Sequence, residues 1–363
     1  MPSGNSPFDR LRLIRSPNIG PVTYRQLIAR FGNASRALEA LPDLVIRGGG
    51  NRVKLAEPAL IEREMAAVAA LGARYIFIED ADYPDMLSHL DNAPPVITVR
   101  GQIGLLDRPT VATVGARNAS AGACRFARTL AFELGQAGFC VVSGLARGID
   151  TAAHIGSIDS GTVAVIAGSI DVAYPPENRD LQNAIAERGL LIAEQPPVTE
   201  PRARHFPYRN RIIAGLASGT VVIEAAPKSG SLITARLAAE AGREVMAVPG
   251  SPLDPRSHGC NQLIREGATL VQNAADIAEL LRPMDAQMVR QNFRPPPKME
   301  PGHEEAGPDR QSVINLMGMT YVSVDELVRQ SGSSQSIVQM VLLEMELAGK
   351  LERGAGGKVR LAA

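Results

Sequence analysis

The sequence predicts an α/β protein with one doubly wound parallel sheet, a small helical domain before it and a small helical domain with a hairpin after it. Short β-branched runs alternate with helical segments between residues 110 and 271. The first 72 residues have helical periodicity, and residues 309–363 recover order after a proline-rich stretch. These three observations predict one large domain between two smaller ones.

The central sheet is predicted from seven short apolar runs. They are VATVG (111–115), FCVVSG (139–144), VAVIAG (163–168), LLIAEQ (190–195), TVVIEA (220–225), EVMAVP (244–249) and the weaker ATLV (268–271). Helices between such runs make the sheet parallel and cover both of its faces, as in Rossmann-like domains. Two further strands, RYIFIE and PVITVR, precede them between residues 74 and 100. Ligands of such sheets bind at the carboxyl ends of the strands, where the glycine-rich motifs of this chain lie.

The N-terminal segment is predicted to be a small helical domain. Gly20-Pro21 breaks one helix and starts the next, because proline is favoured in the first turn. The pattern is typical of SAM-like or helix-hairpin-helix modules, which either bind duplex backbone or dock on other domains, and we favour docking or simple packing. Gly48-Gly49-Gly50 is interpreted as a flexible loop, since no strand precedes it as in a nucleotide-binding fingerprint.

The C-terminal segment has the pattern of a winged helix: three helices and a glycine-tipped hairpin. Ser323 and Ser334 are expected to cap helices, and Ser334 begins the segment expected to be the recognition helix. The basic and acidic residues of 309–363 number six each: Arg310, Arg329, Lys350, Arg353, Lys358 and Arg360 against Asp309, Asp325, Glu326, Glu344, Glu346 and Glu352. A neutral module is a poor phosphate binder, so we interpret it as a protein-contact or regulatory module, with weak DNA contact as the alternative.

The predicted domains follow from these patterns. They are a helical domain at 1–72, the α/β domain at 73–282, a proline-rich linker at 283–308 and the winged helix at 309–363.

Composition restricts the possible functions. Lys plus Arg and Asp plus Glu are each 38, so any nucleic-acid site must be a local basic patch. Cys124, Cys140 and Cys260 form no C-x-x-C pair, and neither a disulfide, a metal nor a cofactor is expected. The start MPSGNSPFDR lacks the basic-then-apolar pattern of a leader peptide, and no run of about twenty apolar residues occurs, so we expect a soluble cytoplasmic protein.

The loop Pro227-Lys228-Ser229-Gly230, between a predicted strand and a predicted helix, has the chemistry of an anion site. A helix N-terminus attracts anions, Lys228 adds a charge, and Gly230 is expected to take a positive φ. Ser231 is predicted to cap the helix, with the Thr234 hydroxyl nearby. No G-x-x-x-x-G-K-[ST] motif occurs in the sequence, so ATP hydrolysis of that type has no support. An ordinary strand-to-helix turn explains the loop alone equally well.

The stretch PRARHFPYRNR (201–211) interleaves arginines with aromatic residues. Its arginines are Arg202, Arg204, Arg209 and Arg211. Arginine pairs with phosphate and aromatic rings stack on bases, so Phe206 and Tyr208 favour a nucleic-acid surface over a solvated basic loop.

Further candidates follow the strand ends. Arg117 is expected to face an anion, and Ser143 to offer a hydroxyl beside the turn glycines Gly144 and Gly148. Gly148 is also explained by packing alone.

Four polar residues are given other roles. Asp150 and His154, four apart on one helix, invite a catalytic interpretation, but a structural pair is preferred. Glu224 is interpreted as holding the Arg209–Arg211 segment and, as the alternative, as a general base. Asn178 is the expected cap of the helix that follows it.

Several long motifs resemble one family. They are TVATVGARNASAGA (110–123), VVSGLARGIDTAAH (141–154), TVAVIAGSIDVAYPPENRDL (162–181), LIAEQPP (191–197) and the whole of 206–250. Together, from about Arg74 to Leu281, they resemble the DNA processing protein A (DprA or Smf) family. The resemblance implies a single-stranded DNA-binding protein, not an enzyme, that protects incoming DNA in natural transformation and loads the RecA recombinase. It also implies a homodimer through the α/β domain.

The predicted nucleic-acid-binding residues combine the motifs with the resemblance. They are Arg117, Ser143, Gly144, Arg147, Gly148, Arg202, Arg204, Phe206, Arg209, Asn210, Arg211, Lys228, Ser229, Gly230, Ser231 and Thr234. Some relatives have a lysine close before the FP motif, where this chain has Arg202 and Arg204. One alternative is a Rossmann-like nucleotide phosphoribohydrolase using Glu224, although this chain lacks the P-G-G-x-G-T loop of those enzymes. A sequence-specific winged-helix regulator is a further alternative, disfavoured by the neutral C-terminal module.

Overall fold

The protein was analysed as a computed structural model that describes residues 5–50, 54–281 and 308–362. The chain divides into two compact units. One combines the N-terminal helices with the C-terminal module, and the other is the α/β region, from Glu64 onward. The separate domain boundaries therefore remain predictions. The predicted linker lies outside the described residues, except for Pro308, which begins a helix.

The α/β unit contains a nine-stranded sheet. Its strands are β1 (Arg74–Phe77), β2 (Val96–Gly101), β3 (Thr110–Gly115), β4 (Cys140–Ser143), β5 (Thr162–Ile166), β6 (Leu190–Ala193), β7 (Gly219–Ile223), β8 (Glu244–Ala247) and β9 (Thr269–Leu270). All seven predicted parallel strands are present, and the two earlier strands form an antiparallel extension beside β6. The order is β1-β2-β6-β5-β4-β3-β7-β8-β9.

The doubly wound topology is confirmed by the pairing of β3. This strand is parallel to β4 on one side, with Val111 opposite Val141, and to β7 on the other, with Val111 opposite Gly219. The chain runs outward from β3 through β4, β5 and β6 and then returns to build β7, β8 and β9. The direction of winding therefore switches between β3 and β7, where such sheets place their ligands.

Helices precede, connect and follow these strands. They are α4 (Pro58–Ala70), α5 (Asp85–Ser88), α6 (Ala121–Gln136), α7 (Ile149–Ser157), α8 (Arg179–Arg188), α9 (His205–Leu216), α10 (Gly230–Glu240), α11 (His258–Arg265) and α12 (Ala274–Leu281). Alternate strand residues are buried against helices on opposite faces: Val142 and Val222 belong to one apolar cluster, Val141 and Val221 to another. Burial on both faces explains why the central strands are almost continuously apolar.

The other unit has two parts. Its N-terminal helices are α1 (Pro7–Arg15), α2 (Pro21–Phe31) and α3 (Ala34–Arg47). Its C-terminal part contains α13 (Pro308–Asn315), α14 (Val324–Ser331), α15 (Gln335–Leu347) and the strands β10 (Val322–Ser323), β11 (Leu351–Gly354) and β12 (Lys358–Leu361). Three helices with a sheet ordered β10-β12-β11 form the predicted winged helix.

Local signals set the helix ends in this unit. Pro21 begins α2, and the hydroxyls of Ser323 and Ser334 accept from Glu326 N and Ile337 N, as predicted for caps. The interpretation of Gly48–Gly50 as a flexible loop is wrong. All three amides donate to carbonyls of the last turn of α3, so the glycines form an ordered helix end. None of the helices described has the length and apolar character needed to cross a membrane.

Candidate nucleic-acid interface

The loops after β3, β4 and β7 meet at one edge of the sheet, and this meeting point is called the crevice below. Ala116, after β3, donates its amide to the carbonyl of Glu224, after β7, at 2.7 Å. The amide of Ile149, at the start of α7, donates to the carbonyl of Ala116. These bonds hold the loops after three neighbouring strands against one another, and they bring motifs more than 100 residues apart in sequence to one edge of the sheet.

The aromatic centre of this edge is Phe206, in the first turn of α9. The guanidinium carbon of Arg117 lies 4.8 Å from the ring centroid, and that of Arg209 lies 5.8 Å away. Tyr174, on the loop after β5, presents its ring edge at 5.8 Å between centroids. A half-buried ring between two cations and a second aromatic side chain is a surface suited to stacking with a planar, electron-rich group.

Arg209 is the buried member of this cluster. It is 6 % exposed, its Nη1 lies 3.9 Å from Asp150 Oδ2, and burial lowers the pKa of the guanidinium to about 10, so it stays charged at neutral pH. A Cβ on Gly144 would lie 1.2 Å from Nη1. The close approach of Arg209 therefore requires glycine at position 144.

The loop before α10 differs in detail from its prediction. Ser229 caps α10, accepting from the amide of Ser231 at 3.4 Å, so the assignment of Ser231 as the cap is wrong. The positive φ falls on Lys228, at 68°, and not on Gly230, which is the first helical residue. Lys228 is exposed. An exposed lysine beside a capped helix N-terminus keeps the electrostatic character expected of an anion site.

Asn210 joins α9 to this loop. Its side-chain amide donates to the carbonyl of Gly230 at 3.4 Å. Thr234, on the second turn of α10, is buried and faces away from solvent. The middle of α9 is thus linked to the N-terminal end of α10.

Two predicted contacts are buried in the fold instead. The Ser143 hydroxyl is fully buried and donates to the carbonyl of Thr113 at 2.6 Å. Arg211 is ion-paired with Glu194 and donates to the carbonyl of Asn92. Sequence alone does not separate these residues from ligand contacts, because polar side chains at strand ends serve both purposes.

The remaining predicted residues lie around the crevice. Arg147 is exposed and forms an ion pair with Glu177. Gly148 has φ 74°, and a Cβ there would lie 2.3 Å from the carbonyl of Ala116, so it is required by packing. Arg202 and Arg204 are exposed just before α9.

The suggested Asp150–His154 bond is not formed. His154 Nδ1 lies 2.7 Å from Thr162 Oγ1, while Asp150 accepts from the amides of Gly144 and Ala146. Burial lowers the pKa of His154 to about 3, so it is neutral. Both residues hold the fold, as preferred, but separately.

Glu224 holds a different partner from the one predicted. One carboxylate oxygen accepts from the Ser120 amide at 2.8 Å and the other from the Ser120 hydroxyl at 2.6 Å. Arg256 lies 3.6 Å away. Glu224 thus fixes the N-cap of α6, and the assignment to the Arg209–Arg211 segment is wrong.

Asn178 stands at the predicted cap position of α8, yet its side chain forms no cap bond. It donates instead to the carbonyl of Leu145 and the hydroxyl of Thr151. It therefore ties the loop after β5 to the loop after β4.

Tyr174 is the one member of the aromatic cluster that sequence reasoning missed. It is 45 % exposed and adjoins Phe206. The sequence does indicate Tyr174, because it is an aromatic residue in the polar turn after a predicted strand, where ligands of such sheets lie. Within the described ranges, no group of His, Cys, Asp and Glu side chains is arranged to hold a metal ion.

Comparison with known proteins agrees with this architecture. Residues 74–282 match the family model of DNA recombination-mediator protein A, residues 5–67 that of the DprA-like N-terminal HHH domain, and residues 295–357 that of the DprA winged helix domain. DNA processing protein DprA of Streptococcus pneumoniae is 45 % identical over 202 residues, which cover 55 % of this chain and 71 % of that protein.

Two solved structures are similar to this chain over nearly their whole lengths. The X-ray structure of DprA from Streptococcus pneumoniae aligns with a TM-score of 0.65 at 34 % identity, covering 77 % of this chain and 99 % of that one. DNA processing protein A from Helicobacter pylori, described for its single-stranded DNA binding mode, aligns with a TM-score of 0.53 at 30 % identity. That match covers 57 % of this chain and 95 % of the Helicobacter chain. The chain therefore belongs to the DNA recombination-mediator protein A family, which includes the DNA processing proteins DprA and Smf.

Proposed function

We propose that the α/β unit binds single-stranded DNA in the crevice at the ends of β3, β4 and β7. The observation that carries the proposal is the Phe206 cluster, in which the ring lies within 6 Å of two guanidinium groups and of the Tyr174 ring. Bases stack on such rings only when they are unpaired, because duplex bases cover one another's faces. The Helicobacter relative supports the same ligand.

Phosphates are assigned to exposed basic residues of the loops and helix ends near the strand ends. Arg117 and Lys228 are exposed, and the α10 N-terminus adds the partial positive charge of its amides. Arg202 and Arg204 extend the basic surface before α9. Arg209 contributes by positioning Phe206, since its own exposed area is small.

The wider role is proposed from family membership. It comprises protection of incoming single strands in natural transformation, loading of the RecA recombinase and homodimerisation through the α/β unit. A dimer would place two crevices on one strand, and the second would bind at a high effective concentration. Each part is separable by experiment from strand binding itself.

The phosphoribohydrolase alternative is disfavoured by the surroundings of Glu224. A general base needs a carboxylate oxygen within reach of the substrate proton. Both oxygens of Glu224 accept hydrogen bonds from Ser120, and Arg256 lies beside them. We therefore propose a binding protein rather than an enzyme.

Fluorescence anisotropy with the full chain tests this proposal. Labelled single strands of increasing length are compared with duplexes of the same length, and we expect a clear preference for the single strand. Equal affinity for both forms would contradict the proposal.

A parallel incubation with nucleoside monophosphates and single-stranded DNA tests the alternative. Glu224→Gln keeps the shape of the side chain and an acceptor for Ser120, so strand binding should persist. Base release that depends on Glu224 would instead establish the hydrolase.

A further inference from the structure

Helix α15, in the recognition-helix position of the winged helix, is covered on all sides over its second half. Val341 to Met345 are five consecutive buried residues. At about 100° per residue, five residues go more than once around a helix. A helix that packs only on its own core leaves one face exposed, so this pattern requires a second packing partner.

The residues that face away from the winged-helix core identify this partner. Val341, Leu342 and Met345 belong to that core, whereas Glu344, on another side, is 2 % exposed. A Cβ on Gly48, after α3, would lie 2.0 Å from the backbone oxygen of Glu344 and 2.9 Å from the Cβ of Ala348. The N-terminal helices of the same compact unit thus cover α15.

Gly48 is required there by space and not by conformation. Its φ of −66° and ψ of −5° suit any residue. Glycine at this position permits direct contact between the end of α3 and the backbone of α15. Gly48, in the three-glycine segment, therefore has a packing role.

Specific polar bonds surround this contact. Asn18 Nδ2 donates to the carbonyl of Leu347 at 3.1 Å, and Gln26 Nε2 donates to Gln339 Oε1 at 2.8 Å. Arg310 pairs with Glu344 and also donates to the carbonyl of Arg47. These side-chain bonds fix one arrangement of the N-terminal helices and the winged helix.

The charges on α15 argue against the DNA contact that is expected of a recognition helix. Its acidic residues are Glu344, paired with Arg310, and Glu346, paired with Arg353 at 2.8 Å. The exposed first turn carries Gln335 and Ser336, which bear no charge. Recognition helices commonly contribute Arg or Lys side chains to the DNA, and none of the residues of α15 itself is basic.

We propose that α15 is a protein-docking surface whose partner is the chain's own N-terminal helices, seated on Gly48, and that it does not read DNA. This inference is independent of strand binding by the α/β unit. The charge balance of the winged helix indicated a protein-contact module but not its partner, and this proposal names that partner.

Cysteine cross-linking in the full chain tests the docking. Gln26→Cys with Gln339→Cys places thiols at positions whose wild-type side chains are hydrogen-bonded, and a short bismaleimide should join them within one chain. Each single variant is the control for native thiols. A product of twice the chain mass would identify a second copy as the partner and overturn the proposal, as would the absence of any product specific to the pair.

Gly48→Ala, added to the cysteine pair, tests whether the close contact at Gly48 is needed for docking. Overpacking at this site should slow cross-linking by about tenfold or more. Gly20→Ala is the matched control, because a Cβ there meets nothing within 4 Å and its φ of −89° is unstrained. Equal cross-linking rates for the two alanine variants would overturn the role of Gly48.

The cross-linked protein also tests the exclusion of DNA. With α15 locked against the N-terminal helices, affinity for single strands and for duplexes should be that of the untreated pair. A loss of duplex binding on locking would show that α15 reads DNA when released, and would overturn the proposal.

Discussion

The crevice of the α/β unit and helix α15 of the winged helix both have the form of a nucleic-acid-binding element, but they differ in what covers them. Around the crevice, Arg117 and Lys228 are exposed and Phe206 is only half-buried. On α15, the charged Glu344 is buried and paired within its own unit. From this difference we infer that accessible positive charge, and not the motif, decides which element would contact a phosphate backbone.

The largest expected effect comes from disturbing the support of the crevice. Gly144→Ala places a methyl group where Arg209 Nη1 lies, and Asp150 Oδ2 is within 2.8 Å of the same point. Arg209 is buried and must shift, which displaces Phe206 from its partners. We expect single-strand affinity to fall by about tenfold or more, measured by anisotropy.

The control for this variant is Gly104→Ala in the same unit, where the added Cβ makes an ordinary 3.7 Å contact. It should bind like the wild type. Normal binding by a folded Gly144→Ala protein would remove Arg209 from the crevice and weaken the contrast with α15.

Removal of the stacking surface should have the next largest effect. Phe206→Ala should cost about 1–3 kcal/mol of binding free energy, since one base–aromatic stack is lost. The salt dependence should not change, because the substitution removes no charge. Tyr208→Ala is the matched control, an exposed aromatic on the same helix at 57 % exposure. Equal losses for the two variants would argue against a specific platform.

Replacing a single basic residue should lower single-strand affinity less at moderate salt. It should also change the salt dependence of binding, which the loss of Phe206 does not. Arg117→Ala and Lys228→Ala should each reduce the slope of log affinity against log salt by about 0.7, the value for one phosphate on a single strand. Binding isotherms at several salt concentrations measure this slope. An unchanged slope would mean that the residue does not meet a phosphate.

The smallest effect is expected from the winged helix. Deleting residues 309–363 removes six basic and six acidic residues, so little counterion release is lost and single-strand affinity should stay within about twofold. Circular dichroism checks that the N-terminal helices stay folded once α15 is gone. A tenfold loss by a folded protein would make the winged helix a DNA-binding element and remove the contrast.

The fold could be predicted because its signals are local and repeated. Each central strand is a β-branched run between helical segments, and burial on both faces selects such runs. Ser323 and Ser334 were predicted as caps because a hydroxyl before an apolar run satisfies free amides. Where two serines compete, as at Ser229 and Ser231, the same reasoning does not decide which one caps.

Much of the candidate site depends on contacts that no local pattern encodes. Ser143 and Arg211 have the chemistry of ligand contacts, but strands and loops distant in sequence occupy their polar groups. Glu224 was correctly given a structural role with the wrong partner, because Ser120 lies in another strand–helix connection. Gly48 gave no signal, since the backbone it contacts lies about 300 residues later.

The ring of Phe206 has a consequence for how the protein would be placed along a strand. Every base has a π-face, so a stacked contact does not fix the phase of the protein relative to sequence. Placement is then set by neighbouring molecules and by the strand's own hairpins, since a base on Phe206 is withdrawn from pairing. A protein that holds bases in this way would bind strands of any sequence, and each stacked base would have to leave the ring before it could pair with another strand.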